Sequence, residues 1–486
     1  GDKIDFLRLA LPADYGEIGY PAAMTSWLVP QEHAHPGFWC GDRYARAAFR
    51  KFAEQKFRTI GAVNAAWGTE WKSFDEVTFP DVGDDYAAAR RACESRRPSD
   101  RRRWLDFVAW YHDSQLDFMR QAVAIVRRHF PEIEIVVSIG YASEKPVFGN
   151  DYSAIPKLAA ELDVSLQTPG NVGYFPLKRV STACHFYGAR YYTEPPGGVD
   201  RNRQVARIFN DASNGTQVWF DYPGNLAGAV DLFQQYKQHL TGQRAINDVA
   251  ILMPMTDHRL HPQHGFPPEV LETASRLRER MDYDVIDELM AADGALKNYR
   301  LLIMPTGQVF ETEALAAIER FVRGGGVLLC REVGGIETID GARGFSEPVM
   351  PETVPGIDAI APDGALDYDA AVKHCARRVG RGYVVKLPAG WDRSELFYDL
   401  ATRLNFDLKR LDPKLRNGIL VETEDNGVAT TLFADRILLH NFSDGQVSLK
   451  IPLRQEDFED RVIGRPEKWE YELTLAPYSI EVIALE

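Results

Sequence analysis

Cysteine is scarce in this 486-residue chain: Cys40, Cys93, Cys184, Cys330 and Cys375 lie far apart, odd in number and without a CxxC pair. That pattern supplies neither a zinc framework nor a disulfide scaffold. No apolar stretch reaches the roughly 18 residues of a membrane-spanning helix. Positive charge is also short, 56 Lys and Arg against 70 Asp and Glu for a net charge of −14, which argues against nucleic acid or an anionic membrane as the main partner. The one dense basic run, Arg101-Arg102-Arg103, precedes an amphipathic pattern and reads as a solvated helix start rather than a binding patch. Internal repeats and low-complexity linkers are missing, and so is an initiator Met or signal peptide ahead of Gly1, so the compartment is not legible from this end.

What is present is a globular composition, 45% hydrophobic and 26% charged, long enough for two to four domains. Its 11% aromatic content fits a sugar enzyme without proving one. Residues 1–245 alternate short apolar runs with longer helical patterns, the signature of a largely parallel βα sheet. Candidate strands are Phe6 to Leu11, Ile133 to Ile139, Val164 to Gln167, Ala189 to Thr193 and Gln217 to Phe220. Several end in polar or ionisable residues: Glu17, Tyr141 with Glu144, Gln167, Glu194 and Asp221. A row of such ends is what one edge of a barrel gives to an active site. Residues 246–414 restart the pattern as a doubly wound α/β domain. Gly324-Gly325-Gly326 there precedes a strand, which defeats a phosphate-cradle reading, and "LLCREVGG" lacks a nucleophile elbow, so Cys330 reads as a buried structural cysteine. Residues 415–486 alternate apolar and polar at period two, a small antiparallel β-sandwich.

Two carboxylates stand out. Glu17 lies among Tyr15, Gly16, Gly19, Tyr20 and Pro21 just past the first apolar run, and Glu194 ends the aromatic strand "ARYYTE" before Pro195-Pro196-Gly197-Gly198. Glycoside hydrolysis needs two such acids facing one bond, one protonated to assist the leaving group and one ionised. Either alone reads equally as a surface loop acid; both at strand ends of one sheet amid aromatics favour chemistry.

"FRKFAEQKFRTIGAVNAAWGTEWKSFDEV", Phe49 to Val77, resembles the stretch that follows the acid/base glutamate in family 42 glycoside hydrolases, the β-galactosidase group. "WLDFVAWYHDSQLDFMRQAVAIVRRHFPEIEIVVSIG" is similar to their next helix and strand, and "VWFDYPG" to their eighth. The resemblance implies strands four to eight of a (β/α)8 barrel, an amidotransferase-like α/β domain without its catalytic cysteine, and a β-domain. It makes Glu17 the acid/base and Glu194 the nucleophile of a retaining β-galactosidase-like glycosidase. Trp219 becomes a sugar-stacking wall, with Asp221 and Tyr141 as hydroxyl partners. Tyr15, Gln167 and one of Tyr191 and Tyr192, which alternate faces, complete the binding set, Tyr192 being the candidate. An oligo- or polysaccharide is the expected substrate, no cofactor is expected, and the second domain is expected to meet a neighbouring subunit near His258, His261 and His264, where a solvated loop is the equal alternative.

Gly16 stands where the family usually places Asn, and "YGEIGYP" is closer to the acid motif of β-amylases, which invert. An inverting glycosidase, one for a β-mannoside or β-glucoside, and a non-catalytic carbohydrate-binding barrel therefore stay as alternatives. Only 16 residues precede Glu17 where three βα units, on the order of 100 residues, are expected. An N-terminal part missing from the sequence, or supplied by another chain, is the expectation, with unpaired sheet edges and poor solubility following. In "EHAHPGFWCGD", His33, His35 and Cys40 lack the spacing of a closed metal site; the segment reads instead as a lid or subsite wall with Trp27, Phe38 and Trp39 as stacking candidates.

Overall fold

The computed structural model describes residues 4–13, 16–20, 37–82, 86–95, 97–140, 143–168, 173–194, 198–331, 335–344, 368, 375–387, 394–419, 427–459 and 461–486. Five parallel strands, β1 (Phe6–Leu9), β2 (Glu134–Ser138), β3 (Ser165–Thr168), β4 (Tyr191–Thr193) and β5 (Val218–Trp219), form one sheet in sequential order. Four of the five fall within the runs expected from sequence and β3 ends one residue beyond its run, at Thr168; strands covered by helices need near-continuous apolar residues. Leu7 and Leu9, Ile135 and Val137, Leu166 and Tyr191 alternate onto the face that packs on helices. The opposite face carries Arg8, Ser138, Gln167, Tyr192 and Glu194 by the same period of two.

The helices between these strands begin where the sequence supplies caps. Asp42 accepts from the backbone of Tyr44 and Ala45 to start helix Arg43–Phe57, Asp200 does the same for Arg201–Ser213, and Pro98 opens Pro98–His129. The "NAAWGT" stretch is a scaffold. Asn64 accepts from Trp71 N at 2.9 Å and donates to Trp71 O at 2.8 Å, Gly68 ends its helix at φ 64°, and buried Trp67 donates to Asp106 at 2.7 Å. Phe49, Trp67, Trp104, Phe107, Trp110 and Tyr111 form the aromatic core above it. The Arg101 to Arg103 run is not a solvated start: Arg101 is buried and pairs with Glu337 at 2.6 Å, and Arg102 pairs with Asp340 at 3.0 Å.

A second sheet follows, from β6 (Val249–Met253), β7 (Asp284–Asp287), β8 (Leu301–Met304), β10 (Val327–Cys330), β12 (Ala376–Val379) and β13 (Gly382–Lys386), with β9 (Val309–Phe310) and β11 (Glu337–Thr338) as a separate parallel pair. Its order, β12-β13-β10-β8-β6-β7, is parallel except for β12, which forms a hairpin with β13. This is a doubly wound arrangement. Its core is continuous with that of the first sheet: Ile135 and Leu166 belong to one buried cluster with Val249, Ile251 and Val327. The C-terminal strands β14 (Val428–Leu432), β15 (Arg436–Asn441), β16 (Val447–Pro452), β17 (Glu470–Leu475) and β18 (Ile480–Ala484) make antiparallel sheets of three and two strands around a shared apolar core. Cys330 is fully buried, its thiol pushed up to about 12 by burial. Among the described residues no helix is long and apolar enough to cross a membrane.

Candidate active site

The site is built at the carboxyl ends of the first sheet. After β1 the chain closes a loop, Leu11 N donating to Gly16 O at 2.9 Å and Ala13 N to Glu17 O at 3.0 Å, and then continues parallel to β2. Gly16 has φ 77°, and a Cβ there would fall 3.1 Å from Ala10 Cβ. The positive φ and the close approach to Ala10 both favour glycine at this point of the loop. Beyond it, Ile18 N donates to Ser138 O at 2.7 Å and Ile18 bridges to Ile139, so Glu17 is registered against the end of β2. Its side chain lies against Gly140, where a Cβ would be 3.1 Å from Glu17 Oε2.

Glu194, one residue past β4, is held from two sides. Arg8 Nη2 donates to its Oε2 at 3.0 Å, and Tyr222 Oη donates to its Oε1 at 2.8 Å. Arg8 Nε also donates to Ser138 Oγ at 3.1 Å, which donates to Gln167 Oε1 at 3.3 Å. A continuous polar chain thus runs Gln167, Ser138, Arg8, Glu194, Tyr222 across the sheet. The Tyr222 phenol is pushed up to about 12, by burial first, then by its bond to Glu194 and by the charges of Glu194 and Glu17, with Arg8 opposing.

Gln167 is tied into this polar chain, whereas Trp219, Asp221 and Tyr192 are directed elsewhere. Trp219 faces the helix layer: it stacks on Phe233 at 4.6 Å between ring centroids, under the Arg207 guanidinium at 4.4 Å. In register, Trp219 sits beside Thr193 rather than Tyr192, so it points away from the Glu194 face. Asp221 is tied to Arg207 at 3.1 Å, to Asn225 at 3.0 Å and to Gln204, its side chain buried. Tyr192 faces the correct side but sends its hydroxyl to Glu134 at the amino end of β2, away from Glu194. Phe38 is not a subsite wall either; it is buried edge-on against Phe107 and Tyr111 at 5.0 and 4.9 Å. Trp39 is partly exposed, its backbone N donating to Tyr111 Oη at 3.1 Å. Tyr15, Tyr141, Trp27, His33 and His35 lie outside the described residues. Cys40 is buried, its thiol pushed up to about 11 by burial.

Sequence reasoning missed Arg8, Ser138 and Tyr222. Arg8 carried a signal, a lone cation inside the apolar run "FLRLAL", since a charge on a buried strand needs a partner.

A family model for β-galactosidase of glycoside hydrolase family 42 matches residues 11–168. A β-galactosidase of Arthrobacter sp. is 28% identical over 231 residues, 43% of this chain and 31% of that enzyme. Residues 11–168 thus resemble family 42. The β-galactosidase of Bacillus circulans sp. alkalophilus superposes with a TM-score of 0.61 at 15% identity, over 90% of this chain and 76% of that one. The exo-carrageenase of that family from Bacteroides ovatus gives 0.62 at 12% identity, over 97% and 66%. Identities this low establish a shared α/β fold alone. A thermophilic β-amylase of Thermoanaerobacterium thermosulfurigenes is 33% identical over 73 residues, 15% of this chain and 13% of that enzyme. The family-42-like chain thus spans less than a third of the curated relatives it matches. The matched family segment contains Glu17 and ends before Glu194, so Glu194 stands on geometry.

Proposed function

We propose that the chain is a β-galactosidase-like retaining glycosidase in which Glu194 is the nucleophile and Glu17 the acid/base. The observation that carries this reading is the Glu194 carboxylate, fixed by Arg8 from β1 and by Tyr222 from beyond β5, on the strand edge that also bears Glu17. Arg8 and Tyr222 each donate to one oxygen of Glu194 and together fix the orientation of the attacking carboxylate. Attack on the anomeric carbon neutralises Glu194 as an ester while Glu17 gives its proton to the leaving oxygen; Glu17 then takes a proton from water that releases the sugar. The five-stranded sheet is read as strands four to eight of a (β/α)8 barrel, with 246–414 as its amidotransferase-like companion and 415–486 as the β-domain.

The test is turnover of an aryl β-galactoside with proton NMR of the first-formed sugar, alongside Glu194→Gln. A β-anomer product and loss of turnover in the variant support the reading. A first-formed α-anomer selects inversion, the second reading, favoured by the 73-residue match to a β-amylase. An active Glu194→Gln removes Glu194 from the chemistry.

A further inference from the structure

Where the second sheet meets the C-terminal strands, three arginines converge on one carboxylate. Asp248, just before β6, lies 3.2 Å from Arg300 Nε, 2.7 Å from Arg461 Nη1 and 3.3 Å from Arg416 Nη2. Arg300 immediately precedes β8, Arg416 lies between helix Ser394–Phe406 and β14, and Arg461 lies between β16 and β17. Among the described residues no other carboxylate stands within 4.0 Å of any of the three. Arg300 and Arg461 keep 12% and 4% of their side chains accessible, so much of the surplus charge sits inside the fold. Burial holds Arg300 down to about 10, with Asp248 opposing and the Arg461 and Arg416 charges adding to the fall. Nearby acids do not make up the difference: Asp282 is met by Lys178 at 3.4 Å, and Arg278 has only Thr430 O at 2.6 Å and Thr431 Oγ1 at 3.0 Å. Buried charge calls for a counter-charge, and here one carboxylate faces three cations.

A cavity of about 60 Å³ opens beside this cluster. One water needs about 10–15 Å³ of such space, so there is room for roughly four waters or for one five-atom oxyanion. Arg300, with 12% of its side chain accessible, and Thr430, 8% exposed, both line it, as does Arg461. Arg300 donates to Asn405 O at 3.0 Å and to Asn405 Oδ1, and Arg461 donates to Asn417 O at 2.7 Å. A guanidinium carries five N–H groups, so both arginines retain unused donors. Among the described residues the Thr430 hydroxyl has no hydrogen-bond partner. Gly418 makes the room for Arg300, since a Cβ there would collide with Arg300 Nη2 and Asn405 Oδ1.

A guest must be anionic to offset the surplus and small enough to fit. It must also accept from donors that arrive on three elements: Arg300 at β8, Thr430 on β14 and Arg461 beyond β16. A tetrahedral oxyanion meets these demands, because its edges match the planar fork of a guanidinium. We propose that this junction is an anion site that takes one inorganic oxyanion of the phosphate or sulfate type among Arg300, Arg461 and Thr430, tying the second α/β layer to the C-terminal strands.

The site is separate from Glu194, so its test needs no turnover. Inorganic phosphate and sulfate are titrated separately by calorimetry into the full chain in chloride buffer, and into the full chain carrying Arg461→Gln or Thr430→Val. Thermal unfolding of each protein is recorded with the ion and with chloride at equal ionic strength. The expected result is one ion per chain for at least one of the two, bound about tenfold more weakly by either variant. That ion should raise the parent's midpoint over chloride by roughly 2 °C or more, and the variants' midpoints by less. Thr430→Val removes only a hydroxyl, so a failure of Arg461→Gln to fold leaves the Thr430 arm decisive. Absence of saturable binding by both ions overturns the proposal. Binding that Thr430→Val leaves unaltered places the ion elsewhere and overturns it too. An equal gain in midpoint in the parent and the folded variants is the general stabilisation that such salts give any protein, and it also overturns the proposal.

Discussion

Gly140→Ala should cripple the proposed glycosidase while leaving its fold intact. A Cβ at 140 would lie 2.9 Å from Ile18 O, 3.1 Å from Glu17 Oε2 and 3.2 Å from Glu17 Cβ. The first contact is with backbone and cannot be relieved by a rotamer change. Ile18 is itself pinned, its N donating to Ser138 O at 2.7 Å and its O accepting from Gly140 N at 3.2 Å. The segment bearing Glu17 must therefore shift by a few tenths of an ångström, and the acid/base moves with it. A misplacement of about 1 Å costs on the order of 100-fold in rate, so a shift of this size costs about tenfold in kcat/KM. The assay is steady-state turnover of an aryl β-galactoside, with thermal unfolding recorded in parallel. Gly61→Ala is the control: a Cβ there meets nothing within 4 Å, the site is inside helix Ile60–Trp67, and the change should stabilise by about 0.5–1 kcal/mol with native turnover. A folded Gly140→Ala enzyme with native kcat/KM would refute the placement of Glu17 against Gly140 as a catalytic feature.

Tyr222→Phe removes one hydrogen bond to the Glu194 carboxylate and should lower kcat roughly 10-fold with little change in KM, measured on the same substrate. Arg179→Met strands the buried Glu144 and Asp287 carboxylates, which now sit 3.1 and 2.7 Å from its guanidinium, and should cost about 3–5 kcal/mol in urea unfolding; a loss below 1 kcal/mol would contradict the ion-pair network. His258 is held neutral, down to about 4, by burial. Unfolded histidine binds a proton below about 6.5, so this contribution is intact above 6.5 and is lost as pH falls toward 4, about 2 kcal/mol by pH 5. His258→Gln, which can still donate to Glu144 O, should reduce the acid-induced drop in urea midpoint by that amount, and an unchanged drop rules this account out.

The strands of the first sheet were readable because each is a short apolar run between helical patterns, and the two carboxylates because they end such runs. Side-chain direction at the sheet edge was not. β5 is two residues long, and whether Trp219 or Phe220 faces Glu194 depends on its register with β4, which the sequence does not record. Asp221 looked like a strand-end acid of the same kind as Glu194; its partners Arg207 and Gln204 lie on the preceding helix, out of view until the chain folds. Arg8 and Glu194 are 186 residues apart, so neither predicts the other. Arg101 and Arg102 read as solvated for the same reason, since Glu337 and Asp340 belong to a distant segment. The stretch that carried the family resemblance most strongly, around Asn64 and Trp67, proved to be turn and core chemistry rather than site chemistry.

Cys330 and Cys375 of the second α/β layer are buried, and the layer is joined to the strand edge that bears Glu17 by a chain of buried contacts. Gly140 O accepts from Asn150 Nδ2 at 2.8 Å and from Tyr152 Oη at 3.1 Å, and Tyr152 N donates to Glu144 at 2.8 Å. Glu144 N donates to Gly265 O at 3.0 Å, its carbonyl accepts from His258 Nε2 at 3.1 Å, and its carboxylate meets Arg179, which also grips Asp287 at the end of β7. Arg259 completes the tie to Asp151 at 2.7 Å. The loop after β2 is thus clamped between the two sheets, and Glu17 takes its position from the end of β2. The second layer therefore fixes where Glu17 stands, and a catalytic group that must be held to about half an ångström needs such rigid support behind it. The continuous apolar core between the sheets supplies that rigidity.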